Sequence, residues 1–306
     1  MHAGILLGLS AAVCWGVADF IARYSARRIG AYRTLFYMQV AGLVFASVWS
    51  VAANPGGGIA ALVRGMREHW GLAAFLGASS GFSMLAFYAA LEHGTLAIVA
   101  PIASSYPALT VLLAYASGER LTPMRIAGVV LTLGGVVLAS MPETPAGVAE
   151  DPPVAVAEAA PVAATGALAP GVLYAMICAL GFGVTYWALG FYAIGDWGAL
   201  GTVWTQRLTT VAWLGATVAP LRRSLAPPSG NGWWLVIVVG VLDAFGFLLS
   251  NRGFESEQVG VITVLGSLFS AVTLLLAFVI LKERLSRRQW AGVALIFAGI
   301  VLINSR

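Results

Sequence analysis

A helix needs about 20 mainly apolar residues to cross a bilayer, and this 306-residue sequence contains ten such runs. They extend over Ala3–Ile21, Ala31–Ala52, Trp70–Leu91, Leu96–Ala116, Pro123–Met141, Pro170–Ile194, Ala199–Pro220, Trp233–Ser250, Val259–Leu281 and Gln289–Ile303. Only 10% of the residues are charged, against roughly 25% in a soluble domain. Such a chain cannot coat a water-facing surface, and burial in lipid is the simplest account. The expected fold is therefore all-α: a polytopic membrane protein of ten transmembrane helices. The net charge of +4 is spread between apolar runs and forms no basic patch, so nucleic-acid binding is set aside. Cys14 and Cys178 both fall inside apolar runs, with no CxxC or Cys/His spacing. Neither a disulfide framework nor a metal site is expected, and nothing calls for a cofactor. The chain begins Met-His-Ala-Gly and enters the first run almost at once, without a charged leader or cleavage site, and that run reads as a retained helix.

Connections between the runs are short, except for residues 142–169. This stretch is rich in Ala and Pro, carries Glu143, Glu150, Asp151 and Glu158, and contains no Lys or Arg. It cannot bury enough apolar surface to fold alone and reads as a flexible linker between two five-helix halves, 1–141 and 170–306. The halves repeat one another. Gly118-Glu119-Arg120-Leu121-Thr122 and Ala127-Gly128-Val129 in the first recur at the same spacing as Lys282-Glu283-Arg284-Leu285-Ser286 and Ala291-Gly292-Val293 in the second. Trp15-Gly16-Val17 corresponds to Phe182-Gly183-Val184, Gln39 to Gln206, and Trp70 and Gly77 to Trp233 or Trp234 and Gly240. A repeat with an odd number of spans must insert its second copy upside down. Inverted repeats build secondary transporters, which open alternately to the two sides around a midplane site.

Ala90-Leu91-Glu92-His93-Gly94, Pro101, the Gly-Glu-Arg-Leu-Thr turn and the following Ala127-Gly128 resemble the EamA domain of the drug/metabolite transporter superfamily. Lys282-Glu283-Arg284-Leu285 extends the likeness to the second half. The resemblance implies a ten-helix exporter or permease for amino acids, other metabolites or drugs, working as a monomer or homodimer in a bacterial inner membrane. Leu265 stands where the first half has Pro101, so the two halves are not equivalent and the broken-helix element is expected to be clearest in the first.

Asp243 is the sharpest candidate site residue. It falls in the middle of the eighth run, where an ionised carboxylate costs about 2.5–3.5 kcal/mol on insertion scales. Arg207 lies at similar depth in the antiparallel seventh run. A structural ion pair and a proton-coupling or substrate-binding carboxylate are both open, and they are compatible. Asp243, Phe247 and Asn251 recur at four-residue spacing and share a face, which would serve as a polar lining. Ser267, Ser270 and Thr273 form a weaker stripe that reads as helix–helix hydrogen bonding. Pro101, Ser104, Ser105, Tyr106 and Pro107 would free backbone carbonyls, making Tyr106 a candidate contact on the wall of the solute path. Trp15 and Asp19 lie one turn apart. Asp19 is placed near a helix end, where snorkelling accounts for it. Gln39 and Gln206 suggest quasi-symmetric polar contacts, and Tyr186 and Trp187 lie deep in the sixth run. Trp70, Trp197, Trp233, Trp234 and Trp290 sit at run ends as interfacial anchors.

Gly77-Ala78-Ser79-Ser80-Gly81 matches the GxSxG pattern of serine hydrolases. A serine nucleophile needs a base within reach, yet His2, His69 and His93 all sit at run ends, so helix packing is the better reading. No GxxxxGK[ST] occurs, and ATP hydrolysis by this chain is not expected. The leading reading is a non-enzymatic exporter of a small solute, with protons as candidate coupling ion. A lipid or lipid-linked sugar flippase is the alternative within transport, and an intramembrane hydrolase the alternative outside it. Orientation is contested. Arg23, Arg27, Arg28, Arg33, Arg222, Arg223, Lys282, Arg284, Arg287 and Arg288 lie opposite the termini, and the positive-inside rule would place that richer side in the cytoplasm. The resemblance places the termini there instead, and that placement is kept.

Overall fold

The computed structural model describes residues 3–93, 102–103, 105–140, 171–230, 232–280 and 287–304. All regular structure among them is helical. The elements are α1 (Ala3–Ile29), α2 (Ala31–Ala53), α3 (Gly58–Glu68), α4 (Trp70–His93), α5 (Tyr106–Ala116) and α6 (Pro123–Ser140). They continue as α7 (Val172–Ala188), a π turn (Leu189–Ala193), α8 (Ile194–Thr217), α9 (Gly232–Phe254), α10 (Val259–Gly266), α11 (Phe269–Ile280) and α12 (Arg287–Asn304). Among the described residues, five stretches are long and apolar enough to cross a membrane: Ala3–Ala26, Ala31–Ala53, Trp70–Phe87, Val172–Thr217 and Gly232–Phe254. Shorter apolar helices lie between and after them.

Several expectations are corrected. α1 runs to Ile29 and stops at Gly30, whose φ of 88° is left-handed, well beyond the predicted end at Ile21. α3 was not foreseen. Its apolar side packs Leu62, Val63 and Met66 against Ala199 and Val203 of α8, while Arg64 and Arg67 are exposed. The sixth and seventh runs join into one 46-residue stretch broken at Gly198, where φ 62° and ψ 177° suit only a residue without a Cβ. The ninth run is also interrupted, between α10 and α11, although it has no proline. Ser267 Oγ donates to Val264 O at that break, much as Ser105 Oγ donates to Ile102 O just before α5. Hydroxyls that bond back to the preceding turn loosen the helical ladder, so the break in the second half carries the same back-bonding serine that precedes α5 in the first. Pro101, Ser104 and the 142–169 linker lie outside the described residues.

The packing repeats as the sequence does. α1 packs on α9 as α7 packs on α4, and α2 contacts α9 as α8 contacts α4. α1 lies against α10 and α11 as α7 lies against α5, while α2 meets α8 and α6 meets α12 across the centre. The α6–α12 seam is made by small residues. A Cβ on Gly299 would stand 2.2 Å from Thr132 Oγ1, and one on Gly128 2.8 Å from Gly299 O. Helices in lipid associate through such close backbone approach. Gly77 and Gly81 do the same for α4, since added Cβ atoms would meet Thr209 and Trp213 of α8 at 2.5 and 2.4 Å. Ser79 between them shares a hydrogen bond with Thr185 Oγ1 at 2.6 Å.

Candidate functional site

Six helices bring polar and aromatic side chains together near the middle of the bundle. Arg207 of α8 is only 2% exposed. Its Nη2 stands 2.5 Å from Asp243 Oδ2 on α9, an ion pair that lacks hydrogen-bond alignment. Nη1 donates to Gln39 Oε1 on α2, and the guanidinium carbon lies 4.8 Å from the centre of the Phe247 ring. An uncompensated buried charge is strongly destabilising, so Asp243, Gln39 and the ring face together make Arg207 tolerable at this depth. Its Nε has no hydrogen-bond partner among the described residues.

Aromatic rings close around this group. Trp15 Nε1 on α1 donates to the carbonyl of Asp243 at 3.2 Å. Its ring meets Phe247 and Tyr186 edge-on at 5.0 and 6.1 Å. Tyr186 stacks on Phe247 at 5.9 Å and on Tyr106 at 5.2 Å. Small residues make room for Trp15: added Cβ atoms on Gly246 and Gly266 would meet its ring at 2.7 and 2.9 Å. Trp15, Gln39, Tyr106, Tyr186, Arg207 and Asp243 thus form one cluster.

Two residues proposed from the sequence lie elsewhere. Asn251 is fully buried and donates to Ala199 O at 3.3 Å, so it packs at the start of the α8 segment rather than lining a path with Asp243. Gln206 points to the other side of α8, where Nε2 donates to Ser80 Oγ at 2.8 Å. The register that pairs Gly77 with Gly240 also pairs Ser80 with Asp243, three residues on in each half. Gln206–Ser80 is therefore the repeat counterpart of the Gln39–Asp243 edge, into which Arg207 is inserted. Trp187 faces away and donates to Ser117 Oγ at 2.8 Å. The Ser267–Ser270–Thr273 stripe bonds backbone carbonyls, with Thr273 Oγ1 reaching Gly16 O at 3.1 Å.

Asp19 is the main correction. It lies in the body of α1, not near its end, one turn beyond Trp15 and within electrostatic reach of Asp243 and Tyr106. The Arg23, Arg27 and Arg28 run made the helix seem to stop early; Gly30 was the signal that it continues. Sequence reading also missed a polar girdle at the end of the bundle that holds Gly4 and Gly253. There Glu119 accepts the N–H of Val259 and Gly260 at 3.0 and 3.2 Å, capping α10. Arg125 pairs with Glu257 at 2.8 Å and donates to Gln258 Oε1 at 2.6 Å. Glu255 Oε1 accepts Ala199 N–H at 3.0 Å, capping the helix that restarts after Gly198. Burial pushes the Glu119 carboxyl above the ordinary carboxylate range, partly offset by the two N–H groups it accepts.

Two surface cavities, of about 380 and 460 Å³, are lined almost wholly by apolar groups and do not touch the central cluster. The cluster's chemistry, not cavity size, marks it as the site. Long apolar helices around a buried ion pair and an aromatic enclosure define an integral membrane protein with a polar centre. The chain belongs to the EamA-like transporter family, whose model matches residues 2–141 and again 169–305. It is thus a membrane transporter or permease of the drug/metabolite type. A solved structure described only as a crystal structure of a protein superposes with a TM-score of 0.77, covering 98% of this chain and 96% of the other at 20% identity. That likeness concerns the fold. No curated protein matches the chain.

Proposed function

We propose that the protein is a secondary active exporter of a small neutral or zwitterionic metabolite with an apolar or aromatic group. In this reading ten crossings form two inverted five-helix repeats, joined by the 142–169 linker, that open alternately to either side. The protein would reside in a bacterial inner membrane with both termini cytoplasmic. The observation that carries the reading is the Arg207–Asp243 pair, buried mid-helix inside the Trp15–Tyr106–Tyr186–Phe247 enclosure. Intramembrane ionisable groups are costly and mark solute or proton pathways. The mirrored helix contacts support two halves that rock about this centre.

Export measured across a panel of amino acids and aromatic metabolites, in cells overproducing the protein and in proteoliposomes with an imposed pH gradient, tests it. Export of at least one solute, accelerated by the gradient, is expected. No flux of any solute under either condition would sink the proposal. A second reading, a lipid or lipid-linked sugar flippase, draws on the apolar groove of about 380 Å³ between α5, α6 and α12, which reaches Ser105 beside Tyr106. Bleaching of fluorescent lipid by an outside reductant in the same vesicles separates the two.

A further inference from the structure

We propose that Asp19, rather than Asp243, is the carboxylate that selects the solute, by accepting a protonated nitrogen on it. The proposal rests on the transporter reading above and narrows its solute to one that carries a protonated nitrogen, the group that the central site recognises. Asp243 is committed to Arg207, which is 2% exposed and cannot leave its partner without stranding a buried charge. Asp19 stands in a different situation. The lipid-facing stripe of α1 is marked by the exposed side chains Leu6 and Val13, at 47% and 52%. Asp19 is about 240° round the helix from Val13, on the Trp15 side that faces the bundle. Its neighbours Ala18 and Phe20 are buried, at 1% and 8%, while Asp19 itself is exposed although enclosed by protein at longer range. An accessible surface on an inward face is a group lining an internal recess.

Among the described side chains, the charges in that recess do not balance. Asp19 and Asp243 are near enough to repel, and the guanidinium of Arg207 is paired to one of them. At low effective dielectric an extra negative charge is a strong attractor for a cation. The walls suit the same guest. Trp15, Tyr186, Phe247 and Tyr106 interlock beside the carboxylates, and aromatic faces attract ammonium groups. A second sign that the cluster is not self-satisfied is the Nε of Arg207, buried without a hydrogen-bond partner among the described residues. The repeat sharpens the assignment. The register that pairs Trp15 with Phe182 pairs Asp19 with Tyr186, so only one half places a carboxylate there. The recess can therefore read one end of a solute as cationic and the other as aromatic.

Calorimetric titration of the purified protein with phenethylamine and with 2-phenylethanol, its uncharged counterpart of similar shape, tests the proposal. Wild type binds the amine about tenfold or more tightly than the alcohol. D19N weakens the amine by about 10- to 100-fold, the range for losing a hydrogen bond to a charged group, and leaves the alcohol unchanged. D19E restores part of the difference, and D19S replaces D19N if the amide variant is not monodisperse. Equal affinity of wild type for amine and alcohol, no binding of the amine, or undiminished amine binding by D19N and D19S overturns it. Counterflow of labelled phenethylamine in proteoliposomes reads the other premise. Binding without flux would overturn export of this amine and leave the role of Asp19 standing.

Discussion

Gln39 accepts a hydrogen bond from Arg207, whereas its repeat counterpart Gln206 donates directly to Ser80 at 2.8 Å. The two halves thus present the same glutamine to opposite chemistry. Where the first half ends in a serine hydroxyl, the second inserts a guanidinium and ends in Asp243, 2.5 Å away. A symmetric scaffold has been given an asymmetric charged centre.

Removing one member of that pair strands the other. D243N should lower stability by about 3–5 kcal/mol, read as a lower melting temperature in detergent. Replacing both residues by apolar ones, as in R207M/D243L, should recover most of the loss while abolishing transport. Equal melting of D243N and wild type would show that the pair contributes no stability.

Glu119 provides a pH signature. Burial raises its carboxyl in the folded protein, so the folded state binds its proton more readily than the unfolded chain does. This contribution to stability is present in full below the ordinary carboxylate pKa and fades as pH rises through the raised value. Melting temperature should therefore decline for this group between about pH 4 and the raised value. E119Q should flatten that slope, and E119A should cost about 1 kcal/mol at every pH by uncapping α10. A slope unchanged in E119Q would assign the titration to another group.

Gly198 holds φ 62° and ψ 177°. G198A should cost about 1–3 kcal/mol, or push the chain into a continuous helix that displaces the Glu255 cap from Ala199. Thermal melting reads the first outcome. Hydrogen exchange at the Ala199 amide reads the second, as faster exchange than in wild type.

Gly299 meets Thr132 across the α6–α12 seam, with 2.2 Å available to a Cβ. G299L should force the helices apart at a cost of about 1–3 kcal/mol or more, visible as loss of the monodisperse peak in size-exclusion chromatography. G299A should be milder, and a G299L protein that melts like wild type would contradict the close seam.

Much of the architecture was legible because its cause is local. Apolar runs of sufficient length dictate helices in lipid, whatever they later touch, and the matched Glu-Arg-Leu and Ala-Gly segments announce a duplicated unit. The depth of Arg207 and Asp243 also follows from their place within such runs. Helix ends were less legible. The arginines after Ile21 resemble an interface, and only the continued ladder to Ile29 shows that Asp19 belongs to the bundle interior. The break between α10 and α11 carries no proline; it lies where the Ser267 hydroxyl bonds back to the turn before it.

The sequence by itself determined that this chain lives in a membrane, in helices, as two related halves with charges buried among them, since hydropathy and repetition are properties of the chain alone. Which charges meet was decided by tertiary structure. Arg207 could reach Asp243 and Gln39 only because α2, α8 and α9 approach closely at small residues such as Gly42 and Gly240. Asn251 and Asp243 share a helix face, yet they part company because different neighbours cover each turn. Asp19 owes its openness to the spaces between helices, which no single helix encodes.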